Sequence, residues 1–149
     1  MATYLSNELA GTVTGLSTAA AAGYRPSASV YGGRLKRLRA TVTLASQATT
    51  DVLQLANLPA GATFAYGVLA TDTSLSTSTL AIGISGTTAK YRAAGTFTAT
   101  DTPTIFGKAA EVATTAPLTA EQTVIGTIAV AALPASGTLT VDLYYSSAN

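Results

Sequence analysis

The stretch Asp51–Thr71, DVLQLANLPAGATFAYGVLAT, carries the reading of the fold. Leu53 and Leu55 point one way along an alternating strand with one apolar face. The corner Leu58-Pro59-Ala60-Gly61 interrupts the pattern, because proline removes a ladder donor and glycine accepts backbone angles other residues avoid. Beyond it, Phe64, Tyr66 and Val68 fall on one face of a second strand, which places Tyr66 in the core. The same grammar returns in Thr123–Tyr145, TVIGTIAVAALPASGTLTVDLYY, where Leu133-Pro134-Ala135-Ser136-Gly137 makes the corner. Two strand–corner–strand units in one chain of 149 residues predict an all-β sandwich built from two similar halves.

The segments around these units fill in the plan. Leu80, Ile82 and Ile84 alternate with Thr79, Ala81, Gly83 and Ser85, the cleanest strand in the sequence. Val124, Ile128 and Val130 are expected on one face near the second corner. Leu139, Val141, Leu143 and Tyr145 alternate with Thr138, Thr140, Asp142 and Tyr144, which predicts a central C-terminal strand with Tyr144 turned outward. Thr87–Ala94, TTAKYRAA, reads as one or two helical turns stopped by Gly95. Thr96–Phe106 reads as short strand, with Pro103 excluding a central position. Gly107–Thr119 reads as loop, and Thr71-Asp72-Thr73 as a turn whose side chains bond the local backbone.

Residues 1–33 differ from the rest. They hold Gly11, Gly15, Gly23, Gly32, Gly33 and the run Ala19–Ala22, with little β alternation. Leu5, Leu9, Val13 and Leu16 keep a helix-like spacing that Gly11 and Gly15 weaken. Two readings stand for this stretch: an extended arm that orders against a partner, or a simple disordered terminus. The sandwich is then expected over residues 34–149.

Charge is sparse and uneven. Charged residues make up 10% of the chain, against roughly 25% in average globular proteins. The net charge of +1 offers little repulsion between copies and favours association. Residues 1–50 hold Arg25, Arg34, Lys36, Arg37 and Arg39 against Glu8 alone, a balance of +4, while the remainder stands at −3. Alternation sets Leu38, Ala40, Val42 and Leu44 on one face of a strand, and Arg37, Arg39, Thr41 and Thr43 on the other. A basic rim of this kind fits an acidic patch on another protein, or a solvated edge whose charges block strand addition. Nucleic-acid modules add a wider basic face and stacking aromatics, whereas only Tyr24 and Tyr31 lie nearby.

Catalytic signatures are missing. The chain has no His, Cys or Trp, which removes the commonest general base, thiolate chemistry and Ser–His triads. No phosphate-binding GxxxxGK[ST] loop, dinucleotide GxGxxG turn or GxSxG elbow occurs. A Ser–Lys dyad through Lys36, Lys90 or Lys108 has no supporting motif. The carboxylates Glu8, Asp51, Asp72, Asp101, Glu111, Glu121 and Asp142 show no pairing by spacing, and no DxDxDG calcium loop is present. Asp72 and Asp101 lie in polar loops, where turn capping explains them. No cofactor is implied. No apolar run approaches the ~20 residues of a membrane span. MATYLSNELAG lacks a basic region followed by an apolar one, so no classical signal peptide is expected. The cysteine-free chain is compatible with a reducing cytosol.

The LPAGATF and LPASGTL corners, the GISGTTAKYRAAGTF segment of Gly83–Phe97, the Thr/Ala-rich strands and the unpatterned arm together resemble the small virion proteins of tailed bacteriophages. The likeness is greatest to capsid decoration, or cement, proteins, and covers roughly Asp51–Tyr145. It implies an antiparallel, jelly-roll-like β-sandwich, often trimeric, made in the host cytoplasm and placed on the outside of an icosahedral shell of major capsid protein. It implies no catalytic residue, membrane contact or specific nucleic acid. The expected shell or intersubunit contacts are Arg25, Tyr31, Arg34, Lys36, Arg37 and Arg39. The alternatives are a phage tail or attachment protein of the same β class, and a carbohydrate-binding adhesin module.

Overall fold

A computed structural model describes residues 33–114 and 116–147. The arm therefore lies outside the described residues except for Gly33, and so do Arg25 and Tyr31. The strands are β1 (Leu35–Thr43), β2 (Val52–Leu58), β3 (Ala62–Thr71), β4 (Thr79–Ile84), β5 (Thr87–Thr96), β6 (Thr104–Phe106), β7 (Gln122–Ala129) and β8 (Thr138–Ser147). One short helix, α1 (Ala109–Val112), lies between β6 and β7. The strands form two antiparallel sheets, ordered β1-β8-β3-β6 and β2-β7-β4-β5.

The pairing is nested. β1 pairs β8, β2 pairs β7, β3 pairs β6, and β4 pairs β5. The chain is thus one long hairpin that reverses at Ser85-Gly86. That double ribbon then rolls, so that β3 also joins β8 and β4 also joins β7. Two four-stranded sheets with this order make an eight-stranded jelly roll. β8 lies between β1 and β3, the central position its alternation predicts.

The two corners are crossings from one sheet to the other, not hairpins. Leu58 and Leu133, each just before its proline, are both buried. Gly61 takes a φ of 81°, a conformation glycine adopts without Cβ strain, and its N–H donates to the Leu118 carbonyl at 2.7 Å. Because β2 runs against β7 and β3 against β8, the two similar units lie side by side in both sheets. Their corners therefore sit at opposite ends of the sandwich. At the second corner's end, Leu44 and Ser46 donate to the Gly137 and Pro134 carbonyls, and the Asp72 carboxylate accepts from the Thr138 N–H at 2.7 Å.

Between the sheets lies a core of Leu55, Leu58, Leu69, Leu80, Ile82, Val124, Ile128, Leu139, Val141 and Leu143, among others. Ile82 is wholly buried, as its clean alternation predicts. Phe64 packs on Tyr91 with ring centroids 4.5 Å apart.

Three expectations are corrected. Thr87–Ala94 is not helical but forms most of β5. Tyr91 is buried against Phe64, and that packing overrides the helix preference of the neighbouring alanines and lysine. Tyr66 is not a core residue: the β3 register shifts between Phe64 and Tyr66. One extra residue reverses the parity of every side chain that follows, so Gly67, Leu69 and Thr71 turn inward while Tyr66 and Val68 face outward. Val130 does not continue the inner face of β7, which ends at Ala129; its φ of 71° marks a turn that leaves the side chain 76% exposed.

Candidate docking surface

β1 is an edge strand, and its alternation follows the sequence pattern. Leu38, Ala40 and Val42 lean toward the core, while Arg37, Arg39, Thr41 and Thr43 are exposed. Arg34 is exposed just before the strand begins. Lys36 is exposed at the strand's start, where its Nζ donates to the Ser147 hydroxyl at 3.1 Å. Four of the expected contact residues thus lie within one short basic strip. Arg25 and Tyr31 are outside the described residues.

Pairing extends this strip across the sheet. Arg37 stands opposite Tyr144, which stands opposite Tyr66. The two rings stack with centroids 4.7 Å apart and planes 20° from parallel. In the adjacent row, Arg39, Asp142, Val68 and Ile105 lie in register across β1, β8, β3 and β6. Ile105 is 71% exposed. Leu35 and Val112 are also exposed, and both line the groove where the chain enters β1. The outer face of this sheet therefore presents arginine and stacked tyrosine, residue types enriched among the energetically dominant contacts of protein interfaces, beside exposed aliphatic side chains.

The electrostatics of the face centre on Arg39 and Asp142. Nε and Nη2 of Arg39 each donate to a separate carboxylate oxygen at 2.8 Å. This two-pronged hydrogen bond, with the attraction of opposite charges, holds the Asp142 carboxyl below its ordinary value and raises Arg39 above its own. Nearby Arg37 lowers Asp142 further. Asp142 is buried although it faces outward, because Arg39 lies against it. One arginine is thereby neutralised, and Arg37 remains exposed beside the tyrosine stack.

Other polar clusters serve the fold. Asp72 accepts from Thr138 N–H and from the Thr73 hydroxyl, and the first of these bonds lowers its carboxyl below the ordinary range. Lys90 Nζ and Tyr91 Oη both donate to Gln122 Oε1, at 2.9 and 3.0 Å. Lys90 also lies 3.7 Å from Glu111, so β5, α1 and β7 are tied together at one end. Burial, aided by the Glu111 charge, pushes the Tyr91 phenol up to about 12. Among the described residues, no group of three or more carboxylates, histidines or cysteines could hold a metal ion. No helix among them is long and apolar enough to cross a membrane.

The basic strip is visible in the sequence, and most of the face beside it is not. Alternation alone turns Tyr66 inward, because the extra residue in β3 carries no sequence mark. Ile105 belongs to a strand of three residues, too short for alternation to reveal its outward face.

The fold defines a jelly-roll sandwich with one basic, tyrosine-bearing sheet face. No protein-family model matches the chain, and no curated protein is similar to it in sequence. Its structure is similar to a chain of the cyanophage Pam1 capsid asymmetric unit, with a TM-score of 0.60 and 23% identity over 78% of this chain and 87% of that one. A chain of the Ralstonia phage GP4 capsid matches with a TM-score of 0.62 and 20% identity over 77% and 85%. A chain of the acid-stable capsid of Helicobacter pylori bacteriophage KHP30 matches with a TM-score of 0.57 and 14% identity over 77% and 89%. These likenesses establish a shared fold.

Proposed function

We propose that this protein is a non-catalytic structural component of a bacteriophage virion that decorates and stabilises an icosahedral capsid by binding the shell of major capsid protein. The observation that carries the proposal is the size of the structural neighbours. Each match covers most of both chains, so each neighbour is a capsid-associated chain of about this size. A small sandwich of this kind suits attachment to a shell, where many weak contacts repeated over a closed surface gain strength together.

In this reading residues 1–33 form an arm ahead of the sandwich. Docking uses Arg34, Lys36, Arg37 and Arg39 with the tyrosine-bearing face beside them, and the free protein is a trimer. The shell partner presents acidic groups to Arg37, and the Tyr66–Tyr144 stack supplies a firm aromatic anchor. The test is co-sedimentation with empty capsids assembled from the major capsid protein encoded alongside it. Wild-type protein pellets with the shells at micromolar concentration, Arg37→Glu reduces the bound fraction, and removal of residues 1–33 leaves a folded chain that no longer binds. Full binding by both variants would reject the docking surface. Failure of the wild type to pellet, with retention on a glycan array, would replace decoration by cell attachment.

A further inference from the structure

The sandwich leaves four strand edges among the described residues: β1 and β6 in one sheet, β2 and β5 in the other. An exposed edge is a template for another strand unless it is short, irregular or covered. β6 has three residues. β5 slips register against β4 twice, and the Arg92 guanidinium turns back onto the carbonyls of Leu80, Gly95 and Thr96, occupying acceptors along that ribbon. β2 slips register once, between Gln54 and Ala56. β1 alone is both long and regular: its nine residues pair with β8 without a shift.

The character of β1 narrows what it accepts. Two copies joined through antiparallel β1 strands would bring two basic strips together, with Arg34, Lys36 and Arg37 of each in surplus over the Arg39–Asp142 pair, and like charges across strands are destabilising. The chain's own residues 1–32 carry only Glu8 and Arg25 as charged side chains, so they bring no acidic complement. On the core side, the space beside β1 opens into a groove toward β2 lined by Leu38, Gln54, Leu55, Ala56 and Asn57. A strand added to β1 would turn alternate side chains into that groove and the others toward Arg37 and Arg39.

We infer that β1 is a strand-addition site for an extended segment of another protein in which carboxylate side chains alternate with small aliphatic ones. Main-chain hydrogen bonds to the open edge supply the attachment. Aliphatic side chains over Leu38 and Ala56, with carboxylates beside Arg37, set the register. The inference rests on the reading of β1 as the docking edge, and it specifies the partner's chemistry there as an acidic, extended strand.

The test uses the full chain and a terminally blocked octapeptide alternating glutamate and valine. Controls are the same peptide with lysine for glutamate, and one methylated on alternate backbone nitrogens. The expected result is saturable binding of the acidic peptide and slowed hydrogen exchange at alternate β1 amides. Arg37→Glu weakens binding about tenfold or more through reversal of a complementary charge, and neither control peptide binds. Absence of saturable binding, equal affinity for the lysine peptide, indifference to backbone methylation, or protection confined to β2 or β5 would overturn the inference. No shell enters this assay, so the two readings fail separately. Capsid binding without peptide binding rejects strand addition, and peptide binding without capsid binding rejects decoration.

Discussion

Replacing Asp142 by asparagine tests the electrostatic centre of the outer sheet face while leaving its shape almost unchanged. The side chain of Asp142 is 8% exposed and that of its partner Arg39 is 52% exposed, so solvent screens the pair from one side only. Hydrogen bonds to charged groups contribute about 1.5–3 kcal/mol, and exposed ion pairs about 0–1 kcal/mol. A half-screened, two-pronged arrangement falls between these ranges, so Asp142→Asn should cost about 1 kcal/mol at pH 7. The sign of its pH dependence follows from the lowered carboxyl. Asp142 binds its proton less readily folded than unfolded, so its contribution is present above the ordinary carboxylate value of 3.8 and is lost as pH falls through the lower folded value. Urea unfolding of wild type and variant, measured from pH 7 down to pH 2.5, should show a gap in stability that closes on the acid side. A gap below about 0.3 kcal/mol at pH 7, or one that persists unchanged at the lowest pH, would refute this account of the pair.

Three further predictions address the scaffold. Ile82→Ala removes wholly buried volume from β4 and should cost about 2–5 kcal/mol in chemical denaturation; an unchanged midpoint would remove Ile82 from the core. At Gly83 an added Cβ would overlap the main-chain carbonyl of Thr87 across the β4–β5 hairpin, so Gly83→Ala should lose about 1–3 kcal/mol, and a neutral result would show that this hairpin yields. Tyr91 favours its protonated form when folded, so its contribution is complete below pH 10 and fades as pH rises toward about 12. Phenolate absorbance should show a late phase that Tyr91→Phe abolishes, and identical single-phase titrations of the two proteins would contradict the burial assigned to that phenol.

What could be read from the sequence divides along a physical line. Leu80–Ile84 and Leu139–Tyr145 keep strict alternation because each runs through the middle of a sheet with one face on the core. The basic face of β1 was legible because this edge strand also keeps one face toward the core and pairs with β8 without a register shift. The helix expected at Thr87–Ala94 came from Ala89, Lys90, Ala93 and Ala94. In the structure these residues lie on a bulged edge strand, where only Tyr91 is buried and the two-residue period is lost. The candidate docking face was half legible because charge announces itself in sequence. Its tyrosine stack was not, because it depends on which residue of β3 is opposite Tyr144, and a single extra residue decides that.

The nested pairing also orders the closure of the chain during synthesis. The β4–β5 ribbon closes over two residues, pairing Ile84 with Thr87, whereas β1 has to find β8 across nearly the whole described chain, Leu35 with Ser146. The entropy lost in closing a loop rises with its length, and topologies rich in distant pairings fold in milliseconds to seconds. Once an inner pair has formed, the loop that the next outer pair must close is shorter, which favours closure from the middle of the chain toward its flanks. Among the described residues β1 pairs with β8 alone, so it gains its neighbour only once Thr138–Ser147 has been made. A copy cut before β8 therefore leaves β1 without the strand that orders it, and any docking proposed for that edge should be lost together with β8.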